Sequence, residues 1–143
     1  MNYNKDYKRR DEIVNRYLRV DRNGKGAGYF GGIERFDALP VEDLETLVKE
    51  KFADLDEAQN EAPTIKEFLE FANRYKDFAR ITFDGYVVSP DRSDYRVSVD
   101  AITIYPDVKN EGRRDMLAAA AMNFGKRANE ADFDGDYFYL WWD

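Results

Sequence analysis

Two aspartates in a predicted β-hairpin are the strongest candidates for chemistry in this chain. The sequence alternates apolar and polar residues through 79–88, passes a turn at SPDRSD and continues as a β-branched run through 95–105. This pattern is typical of two antiparallel strands joined by a turn. If the hairpin folds symmetrically about residue 92, Asp84 lies opposite Asp100, with Cβ atoms about 4.5–5.5 Å apart. Two such carboxylates could share a proton or hold a cation, so the pair could support metal-dependent hydrolysis.

The second strand of this hairpin changes its alternation part-way along. Val97 and Val99 would lie on one face of a regular strand, and Ile102 and Ile104 on the other. We therefore expect a β-bulge near Asp100 and Ala101. Gly85 could mark a matching irregularity in the first strand. A bulge or a nearby arginine could separate the two carboxylates, which would then be ordinary solvent-facing groups.

A second set of carboxylates lies near the end of the chain, in ADFDGDYF. Asp132, Asp134 and Asp136 alternate along it, and alternate carboxylates can bind Mg²⁺ or Ca²⁺ when a loop curls around the ion. The glutamate that completes a calcium loop is missing. Aspartate and glycine are also common in loops that precede a buried strand, so an ordinary loop is the alternative.

The composition excludes several classes of function. The chain has no cysteine and no histidine, which excludes disulfides, thiol nucleophiles and cysteine-ligated zinc and removes the commonest general base. These absences favour a protein that is not an enzyme, and we expect no cofactor. Aromatic residues make up 15% of the chain, which favours a folded domain because disordered chains are poor in aromatics.

A glycine-rich segment matches two ligand-binding patterns in some residue types but lacks other features that each pattern requires. GAGYFGGI at 26–33 fits a phosphate-binding glycine loop, and DRNGKG at 21–26 fits the start of a calcium loop. The first pattern needs a preceding strand, whereas a charged helix is predicted there. The second has Lys25 and Gly32 where oxygen ligands belong. We therefore interpret the segment as a hinge.

The middle of the chain is strongly acidic. Residues 37–70 hold eleven Asp and Glu but only three Lys and Arg. Complementary charge gives specific and fast association, so this segment could recognise a basic protein surface. The candidate partner-binding residues are Glu42, Asp43, Glu45, Asp54, Asp56 and Glu57.

The N-terminal segment is basic instead. Residues 1–36 hold nine Lys and Arg against five Asp and Glu, and basic side chains on a helix could contact nucleic-acid phosphates. The candidates are Lys8, Arg9, Arg10 and Arg16. Because the whole chain has a net charge of −7, nucleic acid is the less favoured partner.

Hydrophobic periodicity predicts an α+β fold. Apolar spacing indicates helices over 5–20, 41–53, 64–76 and 111–128, with Thr64 and Glu67 as a capping box and Asn110 as an N-cap. The hairpin and a C-terminal strand at 137–142 form a three-stranded, mostly antiparallel sheet, in the order α-α-α-β-β-α-β. We expect one domain over 1–143, with a helical half at 1–77 and a sheet-containing half at 78–143.

The predicted function is that of a non-enzymatic, acidic protein-interaction or regulatory module. The alternatives are a metal-dependent hydrolase that uses Asp84 and Asp100, and a nucleic-acid-binding protein that uses the N-terminal helix. The N-terminus has no apolar signal region and the longest apolar runs are too short to span a bilayer. We therefore expect a cytoplasmic protein without membrane contact. The final run YFYLWW could pair within the domain or across a dimer.

Overall fold

The chain forms an antiparallel sheet with helices, and a computed structural model describes residues 1–19, 32–107 and 109–143. The helices are α1 (Tyr7–Val14), followed by a 3₁₀ turn at Asn15–Tyr17, α2 (Val41–Lys49), α3 (Ile65–Tyr75) and α4 (Glu111–Phe124). The strands are β1 (Ile33–Pro40), β2 (Ala79–Val88), β3 (Val97–Pro106), β4 (Glu130–Phe133) and β5 (Phe138–Trp141). The predicted α+β class is confirmed.

The sheet has five strands in the order β1-β2-β3-β5-β4, and every neighbouring pair is antiparallel. The prediction of three strands is wrong in number, because β1 and β4 were not predicted. The alternation of β1 is broken between Phe36 and Leu39, where Ala38 has a φ of 58°. Strand β4 has only four residues, three of them exposed, so it carries almost no periodic signal. Strand β1 also lies within the predicted helical half.

The C-terminal aromatic run forms the fourth strand across the sheet. Strand β5 pairs with β3 on one side and with β4 on the other. Phe138 and Leu140 point into the core and are 2% and 0% exposed. This strand therefore finds both of its partners within one chain.

A bulge in β3 sets the register of the central hairpin, as the alternation predicts. Gly85 pairs with Val99, but the next pair is Asp84 with Ala101, so Asp100 is the extra residue. The predicted pairing of Asp84 with Asp100 is wrong, because the symmetry about residue 92 ends at this bulge. Gly85 is required there, since a Cβ on it would lie 2.0 Å from the carbonyl oxygen of Ser98.

The helices α2, α3 and α4 bury their apolar side chains against one face of the sheet. Helix α3 begins with the predicted capping box, in which Thr64 accepts from the Glu67 amide and Glu67 from the Thr64 amide. Its Phe68 is fully buried and stacks edge-on with Phe83 and Trp142, at ring-centroid distances of 5.7 and 5.5 Å. Burying such a side chain stabilises the fold by about 1.5–3 kcal/mol.

Candidate functional site

The second face of the sheet carries a cluster of charged and aromatic side chains. The core contains Ile81, Phe83 and Val87 of β2 together with buried side chains of all four helices. Successive side chains of a strand point to opposite faces, so Asp84 and Tyr86 face away from the core. Part of this side is covered, since Tyr86 is 7% exposed and its hydroxyl donates to Gln59.

We call this surface the open face and define it by register from β2. Side chains that are directly opposite in neighbouring strands share a face, and the pairs include Arg35 with Tyr86, Thr103 with Tyr139 and Asp132 with Tyr139. The open face includes Arg35 and Asp37 on β1, Arg80, Thr82, Asp84 and Tyr86 on β2, Ser98, Asp100, Thr103 and Tyr105 on β3, Glu130 and Asp132 on β4, and Tyr139 and Trp141 on β5.

An ion pair lies at the centre of the open face. The Arg35 guanidinium donates from Nη1 to Oδ2 of Asp100 over 3.0 Å and from Nη2 to Oδ1 over 2.9 Å. Asp100 is 5% exposed, and the Arg35 side chain is 27% exposed. The β3 bulge places Asp100 on the same face as Asp84, and β1 supplies its counter-ion.

Asp84 has a different environment from Asp100. Its Oδ1 accepts from the backbone N–H of Ala38 over 2.9 Å. Burial raises the pKa of Asp84; the Ala38 amide opposes this shift, whereas Asp37 and Asp100 add to it. The structure therefore brings Asp84 and Asp100 near each other without pairing them, and Arg35 already neutralises one of the two carboxylates.

Tyr139 lies beside these carboxylates. Burial is the main reason why the pKa of Tyr139 is raised to about 12, and the negative charges of Asp84, Glu130 and Asp100 contribute to this rise while Arg35 opposes it. A phenol resists ionisation where the local potential is negative. The same potential stabilises a cation that approaches the open face.

Aromatic rings on this face also stack with guanidinium groups. The Arg80 guanidinium lies over the Tyr105 ring, 4.0 Å from its centroid, and Arg35 lies 5.9 Å from the centroid of Tyr86. Such contacts contribute about 0.5–1 kcal/mol at exposed sites. Tyr139 and Trp141 are half-buried on the same face, so each leaves part of its ring accessible.

The three aspartates predicted to bind metal lie around the β4–β5 turn. Asp132 Oδ2 accepts from the Tyr137 hydroxyl over 3.2 Å, and Arg114 donates to the backbone carbonyls of Asp134 and Gly135 over 3.1 and 2.7 Å. Asp134 Oδ1 caps the turn by accepting from the Asp136 amide. Among the described residues, no three acidic side chains are grouped as a metal ion would require.

The six acidic candidates for partner binding do not form one surface. Glu42, Asp43 and Glu45 lie at the start of α2, where Asp43 accepts from the Tyr17 hydroxyl over 2.8 Å. Asp54 and Asp56 lie in the loop after α2. Glu57 accepts from Ser98 over 3.0 Å and from Arg96 over 3.3 Å, and because Ser98 pairs with Tyr86 this contact lies on the same side of the sheet as Tyr86.

Two of the four basic candidates hold α1 against the rest of the protein. Arg9 donates from Nε and Nη2 to the Glu50 carboxylate, with both distances 2.9 Å. Arg10 is fully buried and donates to the carbonyl oxygen of Val88 over 2.8 Å. Lys8 and Arg16 are exposed. The N-terminal helix therefore presents fewer basic groups to solvent than its sequence suggests.

The calcium-loop pattern at 21–26 and most of the glycine loop at 26–33 lie outside the described residues. Of these segments the structure describes only Gly32, with a φ of 87°, and Ile33, the first residue of β1. In the described ranges, no helix has the length and apolar character needed to cross a bilayer.

Comparison with protein-family models, with curated proteins and with solved structures finds no match to this chain. Its function must therefore be inferred from its own residues and geometry.

The sequence pattern alone missed the most informative residues of the open face. Arg35 and Glu130 belong to the two strands that were not predicted, and Tyr139 lies in a run that is aromatic at nearly every position. The signal that could have found Arg35 is the alternation of Ile33, Arg35 and Asp37 with Glu34 and Phe36. This signal is weak because the charged Glu34 lies on the same side of the strand as the buried Phe36.

Proposed function

We propose that this protein is a non-enzymatic interaction module that binds a basic segment of a partner protein on the open face. The observation that carries the proposal is the position of Tyr139, a half-buried ring directly opposite the exposed Asp132 of β4, whose pKa is raised by burial and then by the carboxylates of Asp84, Glu130 and Asp100. An aromatic ring in a negative potential is a favourable site for a guanidinium or ammonium group.

The chemistry of recognition follows from the two kinds of side chain on this face. A partner arginine can stack on Tyr139 or Trp141, as Arg80 stacks on Tyr105, and can donate to a neighbouring carboxylate. Glu130 and Asp132 are exposed at the sheet edge, so they are available for charge-assisted hydrogen bonds. Arg35 and Asp100 already pair with each other and contribute the rigid centre of the surface.

The location differs from the acidic segment that the sequence suggested. Glu42 and Glu45 are exposed on α2, but no aromatic ring of the open face lies among the residues of that helix. These two glutamates therefore provide a comparison of equal charge. If net negative charge alone attracted the partner, the two surfaces would be equivalent.

The experiment compares three charge-reversal variants in affinity capture from lysate of the native host. One variant is Glu130→Lys with Asp132→Lys, the second is Glu42→Lys with Glu45→Lys, and the matched control outside both surfaces is Glu61→Lys with Glu70→Lys. All three change the net charge by the same amount at exposed positions. We expect the open-face variant to lose a stoichiometric protein partner that the α2 variant and the control retain, with nuclease treatment having no effect.

Three results would contradict the proposal. Loss of the partner with the α2 variant alone would place recognition on the acidic helix. Loss on nuclease treatment would indicate nucleic acid, and Lys8 and Arg16 would then be replaced next. Capture that is the same for all three variants would exclude the open face as the binding surface.

A further inference from the structure

Strand β2 extends beyond the end of its neighbour β1. The last β1 residue, Pro40, pairs with Thr82, after which the chain turns into α2. The remaining β2 residues, Ala79 to Ile81, pair with β3 on one side only. Among the described strands, none lies along their other side.

The backbone groups of Ala79 and Ile81 point toward that unpaired side. Successive residues of a strand direct their N–H and C=O groups to alternate sides. The Ser89 amide donates toward β1, to the Gly32 carbonyl over 2.8 Å, whereas the Val88 amide donates to the Arg96 carbonyl on the β3 side. Ile81 and Ala79 are an even number of residues from Ser89, so their backbone groups point to the same side as those of Ser89. On that side, β1 does not extend as far as Ile81 and Ala79.

A cavity of about 620 Å³ occupies this space. Four consecutive β2 residues, 79–82, line it. A cavity on one face of the sheet would contact only every second residue of a strand, so a cavity that contacts four in a row runs along the backbone edge. The start of α2 and the end of α3 form its walls, with Val41 and Glu45 on the first and Lys76 on the second. We call this cavity the edge notch.

We propose that the edge notch binds an extended peptide segment by β-strand addition. The segment continues the line of β1, runs antiparallel to β2 and exchanges backbone hydrogen bonds with Ala79 and Ile81. At about 3.4 Å per residue, three or four residues span the unpaired part of β2. The notch shares Arg80 and Thr82 with the open face but does not depend on what that face binds.

The charges of the notch define the chemistry of the segment. Glu42 and Glu45 line it from α2, whereas Lys76, the residue after α3, and Arg80 of β2 line the opposite side. A segment with one basic and one acidic side chain complements both walls. An apolar side chain between them packs on Val41 and Ile81.

The test uses a phage-displayed library of random heptapeptides as the probe, selected on the full chain. Enriched peptides are synthesised, and their binding is followed through the backbone amide signals of isotope-labelled protein in NMR spectra. We expect the largest shifts at residues 79–82. We also expect at least a tenfold loss of affinity when alternate peptide nitrogens are methylated, because methylation removes the donors that pair with β2.

Charge variants on α3 provide a second readout. Lys76→Glu should shift the selected peptides from acidic to basic residues at one position, whereas Lys66→Glu makes the same charge change at an exposed site outside the notch and should leave the selection unchanged. The proposal is overturned if no enriched peptide shifts residues 79–82, or if N-methylation leaves the affinity unchanged.

Discussion

Breaking the ion pair between Arg35 and Asp100 should destabilise the protein far more than breaking the neighbouring pair between Arg19 and Asp37. Both pairs join an arginine to an aspartate through two hydrogen bonds, of 2.9 and 3.0 Å in the first and 2.7 and 3.0 Å in the second. They differ in burial. The side chains of Arg19 and Asp37 are 52% and 43% exposed, whereas those of Arg35 and Asp100 are 27% and 7% exposed.

The magnitude follows from this difference. Removing one partner of a buried pair leaves an uncompensated charge and costs about 3–5 kcal/mol. Because part of the Arg35 side chain reaches solvent, we expect about 2–3 kcal/mol for Arg35→Met. An exposed pair contributes about 0.2–1 kcal/mol. The free energy of unfolding falls by about 2 kcal/mol per molar urea, so the loss of the buried pair should lower the urea concentration at the unfolding midpoint by about 1 M or more.

The assay is a double-mutant cycle in urea, followed by the fluorescence of the two tryptophans. The variants are Arg35→Met, Asp100→Asn and their combination, and the control cycle uses Arg19→Met with Asp37→Asn. We expect a coupling energy of about 2 kcal/mol or more for the first pair and below about 1 kcal/mol for the second. Equal couplings would show that burial does not determine the strength of the pair.

Three further predictions follow from the same region. Tyr139, with its pKa raised to about 12 by burial and then by nearby carboxylates, should be among the last phenols to ionise in an ultraviolet titration. The stability that its neutral form provides should decline as pH rises from about 10 through about 12, and an unshifted titration would show that the field is absent. Asp84→Asn should stabilise the protein near pH 7 but not in acid, since the raised pKa of Asp84 disfavours its charged form; equal effects in urea unfolding at both pH values would contradict this. Gly85→Ala should cost about 3 kcal/mol in the same assay, because its Cβ would overlap the Ser98 carbonyl, and a neutral effect would mean that the strands can separate there.

Local sequence signals predicted the helices of this protein well. The capping box at Thr64 and Glu67 and the cap at Asn110 are local interactions, and both are present in the structure. The predicted helix ends extend beyond the observed ones, most clearly at α1, which ends as an α-helix at Val14. Terminal turns fray or become 3₁₀, as residues 15–17 do here.

The sheet was harder to predict because its pairing is not local. The change of alternation in β3 correctly indicated the bulge, but it could not show that Asp100 would meet Arg35, a residue 65 positions earlier in the chain. Strand β1 was missed because Ala38 interrupts its alternation and because Glu34 stands where an apolar residue would be expected. The candidate site includes residues of β1 and β4, so the sequence could predict only the part of it that lies on the other strands.

Recognition of basic segments by the open face can be tested by locating where a basic peptide binds. The probe is a nonapeptide of alternating arginine and glycine, titrated into isotope-labelled protein, with the glutamate–glycine peptide as control. We predict that the arginine peptide alone shifts the ring signals of Tyr139 and the indole signal of Trp141, and that Glu130→Lys with Asp132→Lys weakens these shifts. Shifts confined to α2 around Glu42 and Glu45, or shifts that the open-face variant leaves unchanged, would contradict binding at the open face.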